Sequence, residues 1–302
     1  MAHRKLVQQG NSTLMVSLPA HWVKENKLLK GSTINLEQTP AGLIIHPHTQ
    51  NLPSTITIEL KEHSETALRM LLTNLYRRGY DKIELASKTT IPTTQIASII
   101  KTNFIGIDIA ASTKRSCLLE NITEPDAAQF ENIIQKVFFN TKLLLQTTID
   151  RIQKTPGSES YLEIEERLRK YDNFARRVLS KRSLSTSNIE YLWTFLSLLN
   201  HAQRQLYHLN RAIDQKYTFS TKVSAYCKEL LTLIDSLQHA YAVKSLQTIE
   251  NIHQQEKNLI YNKGYALLES AKGHDAIALH HLLCAVRLLY QATSPLGALI
   301  LT

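Results

Sequence analysis

Apolar residues change their spacing part-way along the chain. Up to about residue 122 they alternate with polar ones in short runs of period two, the pattern of half-buried strands. Beyond that point they recur at i, i+3 and i+4 over long stretches, the pattern of amphipathic helices. Proline follows the same division: six of the eight prolines fall at or before Pro125, and none lies between Pro156 and Pro295. The fold class expected is α+β, with a β-rich N-terminal unit, a small α+β connecting segment and an all-α remainder, divided as 1–48, 52–122 and 123–302.

In the first 47 residues the runs RKLVQQ, TLMVSLP and STINLEQ predict short strands, the last returning through Thr39-Pro40-Ala41-Gly42 into LIIHP. A short helix fits between Pro19 and Lys30, with Trp22, Val23 and Leu28 or Leu29 turned to a core and Lys24, Glu25 and Lys27 outward. So small a unit has too few core residues to be comfortable alone, and it is expected to dimerise. Residues 54 to 122 predict a strand STITIEL, a helix from Ser64 to Arg78 ended by Gly79, a strand DKIELAS and a helix from about Thr93 to Thr102. A hairpin of FIGIDIA and SCLLENI, turning at Ser112 to Arg115, completes the segment.

Six helices are expected from Thr123 onward. Thr123 caps the first, with Pro125 in its opening turn and Pro156-Gly157 as its stop. The others are expected at about 158–181, from the cap Ser187 to about 216, at 220–239, at 243–271 and at 275–293, with Gly273 and Pro295 as breakers. Arg204 with Tyr207 recurs as Arg287 with Tyr290, each pair in the last helix of a triplet, which predicts two tandem three-helix bundles.

Composition narrows the chemistry. Glycine is scarce, 9 of 302 residues, which disfavours glycine-dense β architectures. The net charge of +9 permits a polyanionic partner. Cys117, Cys227 and Cys284 lie far apart with no CxxC spacing, so neither a disulfide framework nor a thiolate zinc site is encoded, and a reducing cytosol is the natural compartment. The start has no apolar leader, and the most apolar C-terminal stretch, 276–292, is interrupted by His280, His281 and Arg287; a cytoplasmic protein without membrane insertion is expected.

The most informative string is RKLVQQGNSTLMVSLPAHWVKENKLLKGSTINLEQTPAGLIIHP. Arg4-Lys5 opens the first strand, Gly10-Asn11-Ser12-Thr13 makes a turn, Val16-Ser17-Leu18-Pro19 leads into the short helix and Leu29-Lys30-Gly31 precedes the next strand. In these features it resembles the AbrB/MazE/SpoVT swapped-hairpin DNA-binding domain. The resemblance implies a homodimer of interleaved hairpins that presents Arg4, Lys5 and Lys24 to double-stranded DNA, with Asn11, Ser12 and Thr13 as turn contacts. Physically, phosphate contacts need cations on a rigid scaffold, and this string carries five basic residues against two acidic ones. It departs from the family in a polar rather than basic turn and in Ser32 where an acid is common. A pure dimerisation module that meets a protein partner is the competing reading.

The rest of the chain resembles the PhoU part of archaeal phosphate uptake regulators, in which such an N-terminal domain is fused to helical bundles. The hairpin 104–122, with Ile105-Gly106-Ile107-Asp108-Ile109, is similar to the segment joining the two parts there. PhoU helices commonly carry paired acids able to hold iron or zinc, but the corresponding positions here are Gln203 and Tyr207, and Val286 and Tyr290, while 171–175 reads Tyr-Asp-Asn-Phe-Ala. No metal and no cofactor are expected. The histidine pairs His46 with His48, His201 with His208 and His280 with His281 are poorly spaced to share an ion. No catalytic constellation such as GxSxG or HExxH occurs, so an enzyme is not expected.

Residues 167–182 hold seven cations, Arg167, Arg169, Lys170, Arg176, Arg177, Lys181 and Arg182, with one acid, Asp172. On a helical wheel Arg169, Lys170, Arg176, Arg177 and Lys181 lie opposite the apolar face. That stripe could extend a nucleic-acid footprint, or be a solubilising face neutralised by Glu163, Glu165 and Glu166. The function expected is a dimeric DNA-binding transcriptional regulator of phosphate uptake. The alternative is a PhoU-like adaptor that does not bind DNA and meets a phosphate transporter or signalling protein.

Overall fold

The computed structural model describes residues 3–10, 13–39, 42–47, 54–61, 64–123, 127–157, 159–181, 188–214 and 216–301. The chain is α+β and divides into two compact units, 1–52 and 53–302.

In the first unit β1 (Val7–Gln9) pairs antiparallel with β2 (Thr13–Met15), and β3 (Ile34–Thr39) pairs antiparallel with β4 (Gly42–Pro47), as two separate two-stranded sheets. Between them lies α1 (Ala20–Glu25). Gly10 supplies the positive φ of +70° that closes the first hairpin, a conformation glycine adopts without the Cβ clash of other residues. No described side chain in this unit is buried.

The second unit opens with β5 (Thr55–Leu60), α2 (Glu65–Arg77), β6 (Lys82–Ser87), α3 (Thr93–Asn103), β7 (Ile107–Ser112) and β8 (Ser116–Asn121). The sheet order is β5-β6-β8-β7, with β5 and β6 parallel across the α2 crossover and the remaining pairs antiparallel. β6 alternates buried Ile83, Leu85 and Ser87 with exposed Glu84, so one face is covered. Leu68, Leu72 and Tyr76 of α2 and Ile96 and Ile99 of α3 supply the cover. Ser64 caps α2 by accepting the Ala67 N–H at 3.2 Å. Gly79 ends the helix turn at φ +88°, and a Cβ there would press on Lys181 at 2.9 Å, so the residue both reverses the chain and admits a side chain from a later helix.

The helical part comprises α4 (Ala127–Gln153), α5 (Tyr161–Ser180), α6 (Ile189–Ala212), α7 (Thr221–Val243), α8 (Leu246–Lys257), a π-helical segment (Asn258–Gly264), α9 (Tyr265–Ser270) and α10 (His274–Ile300). It has its own core, built from residues such as Phe138, Phe195, Leu230 and Leu282. α6 packs on α10 and α4 on both α5 and α7, so the helices carrying the Arg-Tyr repeat are direct neighbours. The expected helix starts at Pro125 and Ser187 lie outside the described residues. The second helix begins at Tyr161 rather than 158, where Ser160 caps it by accepting the Leu162 N–H.

Two expectations are corrected. The helix expected over 243–271 is interrupted by the π segment. There the Tyr226 hydroxyl donates to the Leu259 carbonyl at 2.9 Å, and Gly264 packs so closely on Leu283 and that carbonyl that a Cβ would collide. Pro295 does not break α10, which runs on to Ile300 with Pro295 buried; core packing offsets the lost backbone hydrogen bond. α10 is long and apolar enough to cross a membrane by length and composition, and 44% of its most apolar window is buried within the bundle.

Glu256, on the last turn of α8, is fully buried, and neither carboxyl oxygen has a hydrogen-bond partner among the described residues. Burial pushes this carboxyl up to about 9. A raised acid opposes folding wherever the unfolded chain would ionise it, so the penalty grows from near pH 4.5 upward and levels off above about pH 9. Glu256→Gln is therefore expected to raise stability by up to about 3 kcal/mol near pH 7 and by almost nothing near pH 4. Urea unfolding of both proteins across that range checks it, and equal stability at neutral pH would contradict it.

Candidate nucleic-acid interface

The N-terminal unit leaves its large apolar side chains in solvent: Leu6, Leu14, Val16, Leu29, Leu36 and Leu43 are all exposed, Leu29 at 80%. Alternating strands of this kind normally bury one face. Arg4, Lys5 and Lys24 are also exposed, and none makes an ion pair among the described residues. Glu25, the acid nearest Lys24, instead meets His21 Nδ1 at 3.1 Å across one helical turn. The α1 C-terminus is tied by the Asn26 side chain, which donates to the Trp22 carbonyl at 2.8 Å. Ser32 closes the following loop: its Oγ accepts the Leu29 N–H at 2.8 Å and its own N–H donates to the Leu29 carbonyl at 3.0 Å. A hydroxyl at residue 32 thus caps the loop. Thr13 is exposed at the start of β2, opposite Gln9. Asn11 and Ser12 lie outside the described residues.

The basic stripe of α5 is not a single solvent face, and the wheel reading is corrected here. Arg177 is fully buried: its guanidinium donates to Asp81 Oδ1 at 2.6 Å and to the carbonyls of Tyr80 (2.8 Å) and Tyr76 (3.2 Å), and it lies over the Tyr76 ring. Lys181 joins the same carboxylate at 2.5 Å. Arg176 is buried against Asp172 (2.9 Å), Ser197 (3.1 Å) and the face of Trp193. Only Arg169 and Lys170 keep appreciable exposure, and they pair with Glu165 (2.6 Å) and Glu166 (2.9 Å) one turn earlier. Arg182 lies outside the described residues. The physical reason is that α5 packs against two neighbours, the bundle on one side and α2 and α3 on the other, so the face opposite its apolar stripe is covered too.

Two arginines absent from the sequence expectation, Arg69 and Arg77, join side chains of α5 and α6 beside this seam. A cavity of about 430 Å³ between α2, α5 and α6 is lined by Arg69, Arg77, Arg169 and Arg204 together with Glu165, Asp172 and the amides of Asn200 and Gln203. Arg77 donates to Asp172 at 2.8 Å and to Asn173 Oδ1 at 2.7 Å, while Asn173 donates to the Asn103 carbonyl at 2.8 Å. Gln203 donates to Thr141 at 2.7 Å. Arg69 and Arg77 come from a helix that ends at Arg77, 84 residues before α5 begins at Tyr161, so no sequence spacing could have grouped them.

His208 and His281 meet across α6 and α10, ring centroids 6.2 Å apart, and His281 Nδ1 lies 3.0 Å from Gln205 Oε1. Burial, followed by the neighbouring imidazoles, holds His281 below its ordinary range. Among the described residues no group of three His, Cys, Asp or Glu side chains is placed to hold a metal ion.

Residues 7–52 match the family described as antidote-toxin recognition MazE, bacterial antitoxin. No curated protein and no solved structure matches the chain. The match supports an N-terminal domain of the MazE/AbrB swapped-hairpin type, the kind found in DNA-binding regulators, and it covers the first compact unit alone. Lys24 and the turn Gly10 to Thr13 fall inside it; Arg4 and Lys5 stand just before it.

The seam makes a distinct claim about stability. Removing one partner of a buried ion pair strands the other, so Arg177→Ala is expected to cost about 3–5 kcal/mol. Arg169→Ala, taken from a half-open pair, should cost less than about 1 kcal/mol. Burial would raise the Asp81 carboxyl, but the Lys181 ammonium, the Ser54 N–H and Arg177 together hold it below the usual carboxylate range. A depressed acid stabilises the fold above its unfolded value, and that contribution is lost as pH falls below about 4. Chemical denaturation of the two variants and the parent, at neutral and acid pH, tests both statements; similar losses for Arg169→Ala and Arg177→Ala would refute the first.

Proposed function

We propose that this protein is a homodimeric, cytoplasmic DNA-binding transcriptional regulator of phosphate uptake. In this reading residues 1–48 interleave with those of a second chain and dock on duplex DNA. Residues 52–122 connect, and residues 123–302 form a PhoU-like body that receives the signal or meets a phosphate transporter or signalling protein. α10 is a core helix of that body rather than a membrane span, which agrees with its burial against α6.

The observation that carries the reading is the state of the matched N-terminal unit. Among the described residues its Leu6, Leu14, Val16, Leu29, Leu36 and Leu43 are exposed, and Arg4, Lys5 and Lys24 make no ion pair. Pairing with a second copy would cover the first set, as closed two-fold symmetry does for small self-complementary units. A polyanion would satisfy the second. The pairing of Arg169, Lys170, Arg176, Arg177 and Lys181 with acids favours placing the DNA footprint on Arg4, Lys5 and Lys24, with Asn11, Ser12 and Thr13 at the turn. The phosphate assignment rests on the resemblance of the helical part to PhoU and on the two Arg-Tyr repeats on adjacent helices.

Two measurements test it. Light scattering of the full-length protein at micromolar concentration should give a dimer, and Leu14→Asp with Val16→Asp should give a monomer. A salt titration of binding to a promoter fragment should give a slope of log K against log salt of about −5, since six cations per dimer contribute roughly −0.9 each. Lys24→Ala should flatten that slope by about 2 and weaken all sequences alike, because phosphate contacts carry no base information. Arg169→Ala with Lys170→Ala should leave it unchanged. A dimer that binds no duplex at any salt would instead support the adaptor reading.

A further inference from the structure

The cavity between α2, α5 and α6 carries more positive charge than its own acids neutralise. Four guanidinium groups line it, against two carboxylates. Glu165 is shared between Arg169 at 2.6 Å and Arg204 at 4.0 Å. Asp172 is shared between Arg77 at 2.8 Å and the buried Arg176 at 2.9 Å, which stands behind the wall. Among the described residues Arg69 pairs with Glu65, on its own helix. Hydrogen-bonding capacity is also left over: Arg169 Nε is buried with no partner among the described residues, and the half-buried Asn200 amide makes no hydrogen bond there either. Burial, chiefly, holds the Arg77 guanidinium below its ordinary range, with Asp172 opposing that shift and the nearby Arg176 adding a smaller push in the same direction as burial.

From this geometry we propose that the cavity binds a small tetrahedral oxyanion of the phosphate type, free or as a monoester, held by Arg69, Arg77, Arg169 and Arg204 with Asn200 completing its donor set. Two uncompensated positive charges call for a dianion, and a concave, partly water-excluded site concentrates that attraction. The guanidinium groups arrive from three helices and so from three directions. A planar carboxylate has two acceptor oxygens in one plane, whereas a phosphate presents three terminal oxygens to forks that converge in this way. The cavity's volume of about 430 Å³ exceeds what a bare ion fills, and Met70 and Leu168 on its wall would accept an organic substituent.

The location gives the site a consequence. α2 belongs to the core of the α+β segment, and α5 and α6 to the core of the bundle. An anion held by arginines of both would tighten the joint between them. This inference goes beyond the DNA-binding proposal and does not depend on it.

The test uses the full-length protein in chloride buffer of matched ionic strength, with inorganic phosphate, glycerol phosphate, sulfate and malonate as probes. Calorimetry is expected to show saturable binding of phosphate or glycerol phosphate at one site per chain, with a rise in unfolding temperature and with malonate weaker than either. The tighter of the two phosphates identifies whether the free ion or an ester is preferred. Arg204→Gln and Arg69→Gln, both about half-exposed, should fold with near-parental stability in the absence of anion and bind at least about tenfold more weakly. Asn200→Asp should weaken binding as well, by adding a negative charge. Absence of saturable binding at about 10 mM of any probe would overturn the site, as would affinities that the arginine variants leave unchanged. Preference for malonate would overturn the tetrahedral class. The salt slope on DNA, measured without added oxyanion, reports separately on the N-terminal assignment.

Discussion

The arrangement of residues 53–302 depends on one buried charge. Arg177 has no solvent of its own, and its guanidinium is answered by the Asp81 carboxylate and by two carbonyls at the end of α2. An arginine placed this way is costly unless its partners are fixed, and here they are. Asp81 is anchored by the Ser54 N–H at 3.0 Å and shared with Lys181. Around it the Arg77–Asp172–Asn173–Asn103 contacts extend the polar seam. Two apolar cores, one under the sheet and one in the bundle, are held in register by this seam. Apolar packing tolerates sliding; a forked donor between named acceptors does not.

The same constraint explains why the seam was illegible in the sequence. The helical wheel of 167–182 sorted residues correctly into apolar and basic faces, but a wheel contains one helix and assumes one neighbour. Asp81 lies 96 residues before Arg177 in the chain. The acids that neutralise Arg176, Arg169 and Lys170 sit one turn away and were visible, yet spacing cannot tell a paired solvent face from a buried joint. Elements governed by local chemistry were readable: the helix start at Ser64, Gly79 as a stop, and the hairpin 107–121 from its alternation. Elements governed by long-range packing were not. The π segment needs the Tyr226 hydroxyl from another helix, and the continuity of α10 through Pro295 needs a core to hold it.

The N-terminal unit shows the opposite balance. Its signal lies in adjacent residues, the Gly10 turn, the Pro19 helix start and the Lys30-Gly31 corner, so the resemblance was legible and the family match falls on the same stretch. What local sequence could not show is how little that unit buries. Ser32 is the instructive residue, because it stands where the resemblance leads one to expect an acid and yet closes its loop through two hydrogen bonds.

The ionic seam also sets how the second unit responds to temperature. The hydration of free charges becomes less favourable on heating, so keeping Arg177 and Asp81 out of water costs less in a warm solution than in a cold one. Apolar burial also weakens on cooling. Both trends point the same way at this joint. Chilling, more than moderate warming, is the perturbation that would loosen the joint between the α+β segment and the helical bundle.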